Sequence, residues 1–304
     1  MANIVKRGRK LGVGDDVFSQ NAWDDTEWTE EMLLEAERRI EEQKKEANLS
    51  EEEKSIRIAT VEKNAQKNWN LFYGVHEDRF FKDRRWIFSE FPEILDCLKT
   101  DSKPCNILEV GCGVGNAVVE IINRNQNQNL HLFCCDIADS AIETLKGRDF
   151  YRQNQHKMTA FQMDICKAFE SADCASFPIE PQSLDFVMLV FALSAMKPEL
   201  MARTVENLAK FLKPGGMFLL RDYARYDMTQ LRFKPKSYLS DNYYVRNDGT
   251  TSFFFTKQTL DDLFMSTRCL ERIELKNDNR LLVNRLKSLK MCRCWIQAKY
   301  KKLP

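Results

Sequence analysis

The tightest constraint on this chain lies between residues 107 and 116, which read Ile-Leu-Glu-Val-Gly-Cys-Gly-Val-Gly-Asn. An apolar run carrying one acid delivers the chain to three glycines at alternate positions, and a helix is expected from Ala117. The order predicts a buried strand, a tight turn and then that helix. Glycines at such a turn permit positive φ and let backbone amides approach a nucleoside closely. The spacing Gly-x-Gly-x-Gly differs from the Gly-x-Gly-x-x-Gly of dinucleotide folds. Gly-rich turns also serve as plain αβ connections, so the motif takes its meaning from the residues downstream of it.

Four further features stand in order along the chain. Residues 130–135 are apolar and end in Asp136, 21 residues past Gly115. That spacing suits a strand-end carboxylate accepting from both hydroxyls of a ribose. Residues 158–163 end in Asp164-Ile165, where the Asp can take an adenine amino group and the Ile can pack on its ring. Leu184–Val190 is nearly all apolar, as befits a strand covered on both faces. Pro198–Phe211 has helical spacing, and Leu212-Lys213-Pro214-Gly215-Gly216 breaks it before a fifth strand at 217–220. Each Asp alone could equally cap a helix or form a turn. As an ordered set the features resemble the class I S-adenosylmethionine-dependent methyltransferases. The resemblance implies an α/β fold with a Rossmann-like seven-stranded sheet, and S-adenosylmethionine as cofactor.

Composition narrows the setting. With 304 residues, 43% of them hydrophobic, the chain can build a sizeable core. A formal charge of +1 means that any polyanion surface must come from local asymmetry. Ten cysteines without a repeated Cys-x-x-Cys read as small apolar residues of a reducing compartment, so no metal site is expected. No 18-residue apolar run exists and no signal-peptide core is visible, so no membrane contact is expected. The expectation is cytoplasmic, with Lys6, Arg7, Arg9 and Lys10 leaving a nuclear or mitochondrial address open.

Three regions surround the core. In residues 1–100, Glu30–Ala47 and 50–73 read as charged helices, the second opened by a capping box of Ser50 and Glu53. Trp69 and Tyr73 stand at i and i+4 on one face: an apolar stripe that docks the helix, or a lid over the cofactor. Residues 101–304 form the methyltransferase domain, with an insertion at 221–255 that overhangs the carboxyl ends of the strands. The insertion holds nine aromatics interleaved with Arg221, Arg225, Arg232, Lys234, Lys236 and Arg246. Stacking rings and phosphate-pairing cations suit a nucleic acid, while a hairpin through 243–246 and 251–255 would cover the sheet. A helix at 256–267 and strands at 270–275 and 291–299 complete the sheet, with a basic loop (Arg280, Arg285, Lys287, Lys290) between the strands.

Several blocks carry a closer resemblance: Ala65-Gln66-Lys67-Asn68-Trp69, Phe80-Phe81-Lys82-Asp83-Arg84, Leu193-Ser194-Ala195, Phe218-Leu219-Leu220-Arg221-Asp222-Tyr223, and Tyr244-Val245-Arg246 with Asp248-Gly249-Thr250. With the glycine motif they resemble the eukaryotic tRNA N3-methylcytidine methyltransferases over about residues 60 to 300. Asn21-Ala22-Trp23-Asp24 with Glu27-Trp28 is similar to the branch acting on threonine and some arginine tRNAs. The resemblance implies methylation of cytidine 32 in the anticodon loop and an RNA-binding role for residues 1–100. It implies cofactor contacts at Trp69, Tyr73, Gly111, Asp136, Asp164, Ile165 and Val190; Arg84, Glu109 and Gly113 join that set. Arg85, Tyr223 and Arg246 are the candidate substrate contacts. Arg84, Arg85, Arg246 and the basic C-terminal loop are expected to form a phosphate track. A tRNA synthetase or another protein is a candidate partner.

The chemistry asks little of the protein. Cytosine N3 carries an in-plane lone pair, so no base need remove a proton, and positioning supplies most of the effect. The product ring is cationic, which makes Asp222, directly after the fifth strand, the candidate electrostatic stabiliser, or else a partner of Arg221, Arg225 or Arg246. No Asn-Pro-Pro-Tyr and no Pro-Cys comes after the fourth strand, against adenine amine and cytosine C5 methylation.

Overall fold

Alternating apolar strands and amphipathic helices place five parallel strands at the centre of the computed structural model, which describes residues 8–100, 102–168 and 177–304. These are β2 (Cys105–Val110), β3 (Leu130–Asp136), β4 (Met158–Gln162), β5 (Leu184–Val190) and β6 (Leu212–Tyr223). An N-terminal β1 (Ala22–Asp24) and a C-terminal hairpin of β10 (Leu270–Asn284) and β11 (Leu289–Lys302) extend the sheet. Its order is β1-β10-β11-β6-β5-β2-β3-β4, with β11, β10 and β1 antiparallel to their neighbours. β2 lies between β5 and β3, so successive crossovers diverge there and leave a crevice beyond the strands' carboxyl ends.

Helices α1 (Glu30–Ala47), α2 (Glu51–Lys63), α3 (Ala65–His76), α4 (Ile87–Glu90) and α5 (Glu93–Cys97) precede β2. Helices α6 (Val118–Arg124), α7 (Asp139–Gly147), α8 (Asp149–Asn154), α9 (Pro198–Phe211), α10 (Met228–Leu231) and α11 (Lys257–Met265) lie between and beyond the parallel strands. Two apolar clusters fill the sheet's flanks: one joins Leu189, Leu208 and Phe218, the other Ile107, Ile121 and Leu132. Among the described residues no helix is long and apolar enough to cross a membrane.

The structure departs from the sequence reading in three places. The helix expected over 50–73 is two helices, because Asn64 leaves helical geometry and its side chain bonds the Thr60 carbonyl. The reciprocal Ser50–Glu53 capping box is present. The fifth strand starts at Leu212, not 217: a register shift between Leu184 and Phe186 on β5 absorbs the Pro-Gly-Gly segment. The loop expected between the last two strands is strand almost throughout. Asn277–Arg280 look like loop residues, yet Asp278 is buried because it pairs with Arg221. The outer half of the hairpin is covered by β1, where Trp23 packs on Leu281 and Val283 and donates to the Val17 carbonyl at 2.9 Å. In the insertion, β8 (Tyr243–Val245) and β9 (Thr251–Phe253) pair as expected, and β7 (Tyr238–Ser240) adds a third strand.

Candidate active site

At the crevice lies a cavity of about 510 Å³ whose floor is the glycine turn. Gly111 and Gly113 have φ of +67° and +53°. A Cβ on Gly113 would sit 2.5 Å from the Tyr73 hydroxyl, so this turn tolerates no side chain under its aromatic cover. Asp136, at the end of β3, accepts from the backbone N–H of Gly113 at 2.8 Å and of Ala138 at 2.9 Å. Burial pushes its carboxyl up to about 6, against the pull of those N–H donors.

A guanidinium and a carboxyl face the cavity from its inner end. Glu109, on β2, is buried, and its Oε2 has no hydrogen-bond partner. Burial pushes its carboxyl up to about 8, with the Arg84 guanidinium opposing. Arg84 is flanked by the rings of Phe81 and Phe191 at 5.5 and 5.1 Å. Burial lowers its pKa, and Glu109 is the main charge acting the other way. Among the described residues no ion pair joins the two. A guanidinium beside a carboxyl that ionises when an ammonium meets it forms a cradle for an amino-acid zwitterion. The residues present therefore fit the methionine end of S-adenosylmethionine.

The far end suits a purine. Ile165 and Val190 line the wall. Asp164 lies beside them, accepting from the Cys166 N–H at 3.2 Å and pairing with Lys167 at 3.0 Å. Over the cavity runs α3, whose Trp69 and Tyr73 stack at 6.0 Å. Asn70 bonds Ser140 on α7, and Asn68 donates to the Gly249 carbonyl in the insertion at 2.8 Å. Tyr73 is both packed and lining, because one ring face meets Phe72 while its hydroxyl reaches the glycine turn.

The structure thus brings ten residues singled out from the sequence (Trp69, Tyr73, Arg84, Glu109, Gly111, Gly113, Asp136, Asp164, Ile165 and Val190) around one cavity. The other four lie outside its lining. Asp222 is fully buried, its carboxylate accepting from the N–H of Ser194 at 2.9 Å and of Tyr223 at 2.8 Å. Tyr223 packs against Phe191, a cavity residue, and so stands one ring behind the wall. Arg246 donates to the Thr251 carbonyl, Thr250 Oγ1 and Ser252 Oγ, stapling its own hairpin. Arg85 is exposed, 3.9 Å from Glu120. Of the expected phosphate track, Arg84 and Arg246 are turned inward; of its C-terminal loop cations, Arg280 pairs with Asp24, Glu90 and Asp278.

Sequence reasoning missed Glu62 and Lys197, which line the opposite rim and pair at 2.7 Å. It also missed Phe191, which a positive φ of +57° turns toward Arg84. A charged residue on a solvated helix carries no local signal. Phe191, directly after β5, could have been found from its place at a strand's carboxyl end.

Residues 108–218 match the family described as a methyltransferase domain. The tRNA N(3)-methylcytidine methyltransferase of Schizosaccharomyces pombe is 40% identical over 303 residues, covering 97% of this chain and 91% of that protein. The chain belongs to the tRNA N3-cytidine methyltransferases. A second member, named tRNA(Thr) (cytosine(32)-N(3))-methyltransferase in Saccharomyces cerevisiae, is 37% identical over 95% of this chain and 44% of its own length. The fold is shared more widely: a S-adenosylmethionine-dependent methyltransferase from Anabaena variabilis superposes with a TM-score of 0.56 at 12% identity, covering 80% of this methyltransferase and 95% of that chain.

Proposed function

We propose that the protein transfers a methyl group from S-adenosylmethionine to N3 of cytidine 32 in the anticodon loop of tRNA, with threonine tRNAs, arginine tRNAs or both as substrates. The observation that carries the reading is that similarity to named tRNA N3-cytidine methyltransferases covers 97% of the chain, including the accessory helices and the insertion. When bound, the cofactor supplies an electrophilic methyl group on a sulfonium. The chain's residues hold and orient. Arg84 and Glu109 take the carboxylate and ammonium of its methionine end; Asp136 takes the ribose, Asp164 and Ile165 the adenine; Trp69 and Tyr73 exclude water from above. Asp222 is a positioning residue, fixing the 3-10 turn Leu193–Ala195 beyond β5 through Ser194.

N3 lies on the Watson–Crick edge, so the base must leave any pairing and enter the cavity, which an anticodon loop permits at low cost. Incubation of the purified protein with tRNA and labelled S-adenosylmethionine, with mass-spectrometric nucleoside analysis of the product, tests this. Labelled 3-methylcytidine that disappears with a cytidine-32-to-uridine tRNA supports it. Label in another nucleoside, or none in tRNA while the cofactor binds, rejects it. Turnover that rises on adding the cognate tRNA synthetase identifies that protein as a partner.

A further inference from the structure

A second depression, of about 230 Å³, shares no lining residue with the active-site cavity. It lies where three regions outside the parallel core converge: α1 of the N-terminal region, α10 of the insertion and β11 of the C-terminal hairpin. Its floor is apolar, made by Met228, Leu231 and Leu289, with Cys292 at the side. Its rim is cationic, made by Arg39, Arg232 and Lys290.

The three cations differ in how free they are. Arg39 is held by Glu35 at 2.7 Å. The Arg232 guanidinium donates to the Met228 sulfur at 3.6 Å, and Lys290 lies over the Phe18 ring at 5.8 Å. Among the described residues neither Arg232 nor Lys290 has a carboxylate partner. Exposed Lys234 and Lys236 continue the charge along the insertion, and exposed Arg285 and Lys287 continue it to the hairpin tip. In a chain of net charge +1, two cations without carboxylate partners at one depression make the local asymmetry a polyanion needs.

An apolar floor inside a cationic rim fits an unpaired nucleotide, with its base on the floor and its phosphate on the rim. We propose that this depression holds one splayed nucleotide of the tRNA substrate, apart from the target cytidine, with Arg232 and Lys290 on its phosphate and Met228, Leu231 and Leu289 under its base. The proposal rests on the tRNA reading above and replaces the inward-turned Arg84 and Arg246 as the phosphate contacts.

The test uses the full chain with tRNA. Charge-removing substitutions Arg232→Gln and Lys290→Gln sit on exposed side chains, and unchanged S-adenosylhomocysteine affinity by calorimetry confirms that each variant is folded. Together they should raise the KM for tRNA about tenfold and flatten the slope of log K against log salt by about 1–2. Cys292 gives a direct reading. In wild type, tRNA should slow its alkylation by N-ethylmaleimide, read by peptide mass spectrometry, and leave Cys269, outside the depression, labelled as before. Unchanged KM and unprotected Cys292, in a wild type that methylates tRNA, overturn the subsite and leave an acidic protein segment as the occupant. A wild type that neither binds nor methylates tRNA overturns the tRNA reading itself and the subsite with it.

Discussion

Glu109 should make cofactor binding release a proton. Without ligand its carboxyl stands at about 8, because burial disfavours the charge and one oxygen has no partner. One pH unit below that value, at pH 7, about nine-tenths of the molecules carry the proton. Asp136, at about 6, is only about one-tenth protonated at the same pH. A ligand ammonium beside Glu109 supplies the missing charge and drops its pKa well below 7. Binding of S-adenosylhomocysteine, which has the same zwitterion, should therefore release roughly 0.9 proton from Glu109 and 0.1 or less from Asp136. Calorimetry at pH 7 in buffers of different ionisation enthalpy measures this number, and Glu109→Gln should lower it by about 0.9. The same rise sets a stability trend in the free protein. A carboxyl raised from 4.5 to about 8 stabilises the fold below its unfolded value, and that contribution is lost as pH climbs through 8. The whole effect is on the order of 5 kcal/mol, and Glu109→Gln should flatten it. Equal proton release by wild type and Glu109→Gln would refute the assignment, because a carboxylate already ionised has no proton to give.

The geometry fixes other outcomes. Gly113→Ala puts a methyl 2.5 Å from the Tyr73 hydroxyl at a φ of +53°, so cofactor affinity should fall at least tenfold, measured by calorimetry. Asp278→Ala leaves Arg221 buried without its closest partner and should cost roughly 3–5 kcal/mol in urea unfolding, far more than removing both charges together. Asp222→Asn puts an NH₂ against one of the two backbone N–H groups that its oxygens accept from; single-turnover rate and tRNA affinity should fall together, while a fall in rate alone would return it to a direct role at the base.

The parallel core was legible because its signals are local: an apolar run, a turn residue and a strand-end acid sit within a few positions of each other. The cavity residues come with it, since β2, β3 and β5 all end at the same edge of the sheet. The features that were not legible depend on contacts far along the chain. Asp278 reads as a loop residue until Arg221, 57 positions away, gives it a partner, with Trp86 and Trp295 stacked on the guanidinium. Trp23 reads as part of a family block, and only the pairing of β1 with β10 shows it closing the end of the hairpin. Arg246 reads as a free cation among aromatics, yet the nearest acceptors are the carbonyl and hydroxyls of its own turn. Charge type is visible in a sequence; whether the charge is already spent is not.

The buried polar groups around the turn after β5 explain why the insertion and the core act as one site. Asp222 holds Ser194 from beneath, through a carboxylate with no contact to water. Thr251, on β9 of the insertion, donates its hydroxyl to the Ala195 carbonyl at 3.1 Å. The turn is therefore gripped by the last parallel strand on one side and the insertion on the other. Phe191 and Ala192, just before it, form part of the cavity wall, with Tyr223 packed behind Phe191. A third grip comes from the lid: Asn68 on α3 bonds Gly249, in the hairpin turn that leads into Thr251. Because a buried donor or acceptor left unpaired costs about 1–3 kcal/mol, these bonds resist independent motion of wall, lid and insertion. A base drawn under the insertion would then meet a wall already set by the strands that hold the methyl donor. That shared rigidity is what a reaction driven by positioning requires.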